Sequence, residues 1–288
     1  MGSFAERFVS TSDGLSLFVR DYGPEGGERT APVVCLHGLT RNSADFETVA
    51  PRIAGLGRRV LALDVRGRGR SASDPQWQRY QPPTYAGDVV QVMAALNVPK
   101  AVFIGTSMGG LITMLLAVMA PERIAAAILN DVGPVIDPAG IARIGGYVGK
   151  TGPFPDWKSL AKTLKASQSI AFPDADDAAW EAFARRTGRE RADGQIEFAY
   201  DPAIAKVFAE APAGPAPDIR PLFAALARVP VLVLRGALSD ILSPDGVEEM
   251  RKLKADLDVA EIPRVGHAPM LDEPASWAAI EAFLRRVG

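Results

Sequence analysis

Ser107 stands in the stretch Gly105-Thr106-Ser107-Met108-Gly109, with a glycine two residues away on either side. A serine hydroxyl becomes a useful nucleophile only when a base takes its proton. The base must in turn be oriented, and its cation balanced, by a carboxylate. The chain has two histidines, His37 and His267, so few groups can move protons near neutral pH. His267, in "RVGHAPMLDEP", is the candidate base. His37, in "LHGLT", reads as structural, because it sits beside the glycine of a loop whose useful donors are backbone groups. Two aspartates compete for the third place: Asp240 in "LRGALSDILSP" and Asp131 in "ILNDVGP". We favour Asp240, with the chain order Ser…Asp…His as the template, and keep Asp131 as the alternative acid. The backbone N–H groups of Leu39 and Met108 are the candidate donors to an oxyanion.

These residues need elements to hold them. "APVVCLHG", "RRVLALDVRG", "KAVFIGTS" and "IAAAILNDVG" are short apolar runs, as strands buried on both faces look. Between them, "SADFETVAPRIAGLG", "TYAGDVVQVMAALNV" and "MGGLITMLLAVMA" have helical spacing, and Pro51 predicts a kink or break in the first. "ERFVSTSDGLSLFVRDYG" reads as a hairpin around Asp13-Gly14. The alternation implies a parallel sheet covered by helices. It is interrupted over 134–225, which offers no buried strand but two amphipathic helices, "DWKSLAKTLKA" and "DDAAWEAFARRTG", and a proline-rich stretch at 211–218. Aromatics are frequent there: Phe154, Trp157, Phe172, Trp180, Phe183, Phe198, Tyr200 and Phe208. After 226 the strand–helix alternation resumes. We therefore expect a core of 1–133 and 226–288 carrying a helical insertion at 134–225. Ser107 then falls where a strand ends and a helix begins, with free helix N–H groups behind it.

Composition narrows the partners. The chain of 288 residues is 48% hydrophobic and 23% charged with a net charge of −2. No basic surface for nucleic acid is expected. The most apolar stretch, 111–120, is too short to span a bilayer. The N-terminal residues lack a basic start and an apolar core, so no signal peptide is expected and a cytoplasmic location is the default. Cys35 is the single cysteine and allows no internal disulfide. "LDVRGRGRS" lacks the Gly-Lys-Ser/Thr ending of a phosphate loop and reads as a structural turn with Arg66 and Arg68 in side-chain hydrogen bonds.

Taken together, "HGLT", "DVRGRGRS", "GTSMGG", "LRGALSDIL" and "GHAP", in that order, resemble the α/β-hydrolase superfamily over nearly the whole chain. The resemblance implies an α/β-hydrolase fold: a mostly parallel eight-stranded sheet flanked by helices, with 134–225 as a helical cap. It implies a serine hydrolase acting on a small carboxylic ester or lactone with an apolar moiety, through an acyl-enzyme and without metal or organic cofactor. Serine at 107 argues against the epoxide hydrolases and haloalkane dehalogenases of the superfamily, which carry aspartate there. The alternatives are hydrolysis of a carbon–carbon bond in ring-cleavage products, cofactor-free perhydrolysis, or a non-catalytic ligand receptor on the same scaffold.

Overall fold

The computed structural model describes residues 2–24, 30–149, 152–210 and 217–287, without the side chains of Pro138, Phe208 and Ala209. Most of the proline-rich stretch and the Phe208 side chain thus lie outside the described residues. In chain order the elements are β1 (Ala5–Ser10), β2 (Ser16–Tyr22), β3 (Val33–Leu36), α1 (Val49–Gly55), β4 (Val60–Leu63), α2 (Pro82–Ala95), β5 (Ala101–Thr106), α3 (Met108–Met119) and β6 (Ile124–Asn130). There follow α4 (Pro138–Gly145), α5 (Trp157–Gln168), α6 (Asp177–Thr187), β7 (Gly188–Glu190), β8 (Ile196–Phe198), α7 (Ile204–Ala209) and α8 (Arg220–Ala224). The chain closes with β9 (Val231–Gly236), α9 (Pro244–Leu253), β10 (Asp258–Ile262) and α10 (Pro274–Arg286).

Eight strands form one sheet in the order β1-β2-β4-β3-β5-β6-β9-β10. β1 and β2 are antiparallel, β2 meets β4 antiparallel, and every later neighbour is parallel. The central strands are apolar along nearly their whole length because both faces are covered. Their side chains alternate between two cores. Val34, Leu36, Leu61, Leu63, Phe103 and Leu129 face α2, α3 and α9. Val33, Cys35, Val60, Ala62, Val102 and Ile104 face α1 and α10. Among the described residues no helix is long and apolar enough to cross a membrane.

Two local expectations are refined. The helix read over 43–57 is a short 3-10 turn, Ser43–Phe46, followed by α1. The break falls before Pro51, which occupies the first turn of α1, where a missing N–H removes no intrahelical bond. The 134–225 segment contains the two expected helices as α5 and α6, and adds the hairpin β7–β8. These elements share a small core of Leu160, Leu164, Trp180, Phe183 and Ile196, separate from the two sheet cores. The segment is also hydrogen-bonded to the sheet domain. Gly69 N donates to Ala199 O at 2.7 Å, Asp201 N to Gly67 O at 2.8 Å, and Gly266 N to Ala171 O at 2.7 Å.

Candidate active site

Ser107 joins β5 directly to α3, and its backbone is held at φ 51°, ψ −114°. Positive φ is costly for a residue with a Cβ and persists only where the surroundings enforce it. The flanking glycines show how they do so. A Cβ on Gly105 would lie 2.4 Å from the Gly109 carbonyl oxygen, and one on Gly109 would lie 2.1 Å from the Leu36 carbonyl oxygen. Only bare backbone lets α3 start so close to β3 and β5. Ser107 N donates to Asn130 O at 3.0 Å, which pins the turn to the end of β6.

The sheet order then brings the other groups in. β3, β5 and β6 are adjacent, so the residues after each strand meet at one edge of the sheet. His267 Nε2 lies 2.9 Å from Ser107 Oγ, and His267 Nδ1 lies 2.8 Å from Asp131 Oδ2. Asp131 is fully buried at a turn with φ 57°. Its other contacts are all donors: Gly236 N at 2.8 Å to Oδ1 and Ser239 Oγ at 2.5 Å to Oδ2. Donors to both oxygens hold that buried carboxylate in one orientation.

Asp240, the favoured acid in the sequence, does not meet His267. Its carboxylate turns outward to the Arg143 guanidinium of α4, with Nε to Oδ2 at 2.5 Å and an Nη to Oδ1 at 2.8 Å. That hydrogen-bonded pair holds its carboxyl below the usual range. The physical reason lies in the loop after β9. Its residue that points at the histidine–carboxylate pair is Ser239, whose hydroxyl supports Asp131, while the next residue along the chain faces the other way. The alternative acid, Asp131, stands in the place expected of Asp240.

Leu39 follows β3, and Met108 opens α3. Among the described residues neither backbone N–H has a hydrogen-bond acceptor, so both remain available at the turn. A Cβ on Gly38 would meet only ordinary contacts, 3.5 Å from Arg41 Cγ and 3.8 Å from Ser107 Cβ. The space that glycine leaves there opens over Ser107.

Two residues behind this loop were assigned no part in the site by sequence reasoning. Arg68 is 1% exposed. Its Nε donates to the Leu39 carbonyl at 2.9 Å, one Nη to the Tyr85 hydroxyl at 2.9 Å and the Arg66 carbonyl at 2.8 Å, and the other approaches Met108 Sδ at 3.6 Å. It therefore touches both candidate oxyanion residues from behind. Asn130 donates through Nδ2 to the Pro269 carbonyl at 2.8 Å, tying the loop after His267 to β6. The glycine-rich basic run signalled Arg68; nothing in the sequence singled out Asn130.

His37 has the structural place expected of it. It is fully buried, its Nδ1–H donates to Gly38 O at 2.7 Å, and its Nε2 accepts from Val65 N at 3.0 Å. Burial pushes its pKa down to about 4, so the ring is neutral near pH 7. Arg66 is likewise buried, paired with Asp74 at 2.6 Å and Asp88 at 2.5 Å.

Ser107 and His267 lie on the wall of a cavity of about 420 Å³. Phe172, Phe183 and Phe198 of the 134–225 segment give it apolar surface, and Tyr147, Ser167 and Gln168 give it polar groups.

Similarity to known proteins agrees with this fold. The sequence profile of the alpha/beta hydrolase fold matches residues 31–274. A 3-hydroxybutyrate-oligomer hydrolase of Cupriavidus necator is 37% identical over 271 residues, 90% of either chain. An alpha/beta hydrolase from Novosphingobium aromaticivorans superposes with a TM-score of 0.92 at 46% identity, covering 100% of both chains. A putative hydrolase from Rickettsia typhi superposes with a TM-score of 0.85 at 28% identity, over 96% of this chain and 93% of that one. The chain belongs to the α/β-hydrolase family. Its activity class is that of a hydrolase.

Proposed function

We propose that the protein is a serine hydrolase of small carboxylic esters or lactones. The observation that carries this reading is the continuous chain from Asp131 Oδ2 through the His267 ring to Ser107 Oγ, with both bonds under 3 Å. Ser107 Oγ attacks the carbonyl carbon while His267 Nε2 takes its proton. The carbonyl oxygen becomes an oxyanion facing the N–H groups of Leu39 and Met108. As the tetrahedral intermediate collapses, the carbon–oxygen bond to the alcohol breaks and His267 returns the proton to the leaving oxygen. Water, deprotonated by His267, then attacks the acyl-enzyme and releases the acid and Ser107. Asp131 keeps the Nδ1–H tautomer of His267 in place and stabilises the imidazolium as it forms.

Two further observations support the reading. The relative from Cupriavidus necator is named as a hydrolase of hydroxybutyrate oligomers, whose units are joined by ester bonds. The segment 134–225 contributes much of the cavity wall around Ser107, as a cap over an active site does.

The test is labelling with a fluorophosphonate followed by peptide mapping, beside p-nitrophenyl acetate hydrolysis. The expected adduct is on Ser107, and Ser107→Ala should lose about 10⁴-fold or more in kcat. An adduct on another residue, or full activity in Ser107→Ala, overturns the mechanism.

A further inference from the structure

A second cavity, of about 190 Å³, meets the first at Ser107. The two share Leu39, Ser107 and Ile144 on their walls and differ in chemistry. The second is lined by aliphatic side chains, among them Leu111, Val132, Ile136, Ile204 and Ile241. Its polar side-chain groups other than Ser107 are the hydroxyls of Tyr80 and Tyr85. Tyr80 is engaged as both donor and acceptor, and Tyr85 as an acceptor. Tyr80 donates to Asp201 Oδ2 at 2.6 Å and accepts from Asp74 N at 2.7 Å, and Tyr85 accepts from Arg68 at 2.9 Å. The smaller chamber therefore offers a guest chiefly apolar contact and little that replaces lost hydration. The larger chamber carries the polar side chains of Thr40, Tyr147 and Gln168, and the Ser167 hydroxyl as an acceptor, as well as aromatic faces.

His267 lines the larger chamber and is absent from the wall of the smaller one. That asymmetry fixes direction. The leaving oxygen must reach His267 Nε2 to receive its proton, so the alcohol half of an ester lies on the histidine's side of the reacting carbon. The acyl chain then extends the other way. We propose that the 190 Å³ chamber is the acyl site and the 420 Å³ chamber the alcohol site. The substrate is accordingly an ester of a short, unsubstituted apolar acid with a bulkier alcohol that carries hydrogen-bonding groups. This assignment rests on the acyl-transfer reading of Ser107. The acyl carbon bonds to Ser107 Oγ while its chain occupies the smaller chamber. The bond to the alcohol oxygen breaks, and the departing alcohol leaves through the larger chamber with the proton from His267.

The assignment is tested with two ester series on the full chain. In the first the alcohol is p-nitrophenol and the acyl group runs from acetate through butanoate and hexanoate to dodecanoate. In the second the acyl group is butanoate and the alcohol runs from ethyl to glyceryl. The kcat/KM should peak at a short acyl chain and fall at least about tenfold by dodecanoate, while the glyceryl ester is accepted as well as the ethyl ester. A β-hydroxyl on the butanoyl chain should cost about tenfold to a hundredfold, because the smaller chamber is lined chiefly by aliphatic side chains. Ile136→Phe should move the acyl optimum to acetate, and Ser167→Trp should penalise the glyceryl ester while leaving the acyl optimum unchanged. Hydrolysis with the opposite pattern, or with no dependence on the acyl chain, overturns the assignment and leaves acyl transfer at Ser107 standing. Absence of both hydrolysis and a fluorophosphonate adduct overturns the underlying reading instead.

Discussion

The Arg143 guanidinium grips both oxygens of the Asp240 carboxylate, linking α4 to the loop after β9. The partners remain partly exposed, at 28% and 39%, so solvent screens the pair and its contribution to stability is about 1 kcal/mol at most. Asp131, in contrast, is fully buried against His267. On the proposed mechanism Asp131→Asn should lower kcat by about 10⁴-fold, because an amide favours the wrong histidine tautomer. Asp240→Asn should retain kcat within a few fold. Ester hydrolysis by the two variants, measured side by side, decides between them; a reversed ranking would return Asp240 to the role of acid.

On the proposed mechanism Arg68 is a positioning residue for the oxyanion donors. It donates to the Leu39 carbonyl and packs against Met108 Sδ. Arg68→Met keeps much of the side-chain length but removes the donors. The expected outcome is a loss of about tenfold to a hundredfold in kcat with KM little changed, since a small misplacement of the donors acts on the transition state. Arg68→Lys should not rescue it, because a point ammonium cannot make the same forked set of bonds. A matching fall in the rate of fluorophosphonate labelling would separate this role from a purely structural one.

The glycines around Ser107 divide by what their missing Cβ would strike. Gly105→Ala places a Cβ against the backbone of Gly109, which cannot yield. It should cost roughly 3 kcal/mol or more in stability, or prevent folding. Gly38→Ala meets only ordinary contacts, so its melting temperature should stay near that of the parent. Its activity should fall, because the added methyl enters the space above Ser107. Thermal melts and p-nitrophenyl acetate assays on both variants check the contrast.

His37 makes stability depend on acid. Its folded pKa of about 4 lies below the ordinary value of 6.5. The unfolded chain therefore binds a proton that the folded chain excludes. The stabilisation is fully present above pH 6.5 and is lost as pH falls towards about 4, by up to roughly 3 kcal/mol. In His37→Gln, denaturant-unfolding curves should show a shallower fall over that window than in the parent. Identical slopes would mean that other groups carry the dependence.

Much of the scaffold was legible in local pattern. Continuous apolar runs marked the strands buried on two faces, and helical spacing marked α2, α3, α5 and α6. The hairpin β7–β8 went unread because two three-residue strands carry too little periodicity to register. The chain order Ser…Asp…His could not choose between the acids, since Asp131 and Asp240 both fall between Ser107 and His267.

The sequence by itself determined the strand–turn–helix at Ser107, because the apolar strand, the two glycines and the apolar helix are all local. It also narrowed the candidate base to His267 by leaving so few histidines. Which carboxylate faces that histidine was decided only in the tertiary structure. Asp131 and Asp240 each follow a buried strand, and their side-chain directions depend on turns packed against neighbours far along the chain. The same holds for the two chambers beside Ser107, whose walls come from β5, β8, α2, α3, α4, α5, α6, α7 and the loops between elements. A cavity is the space left between packed elements, so its shape exists only once those elements have docked.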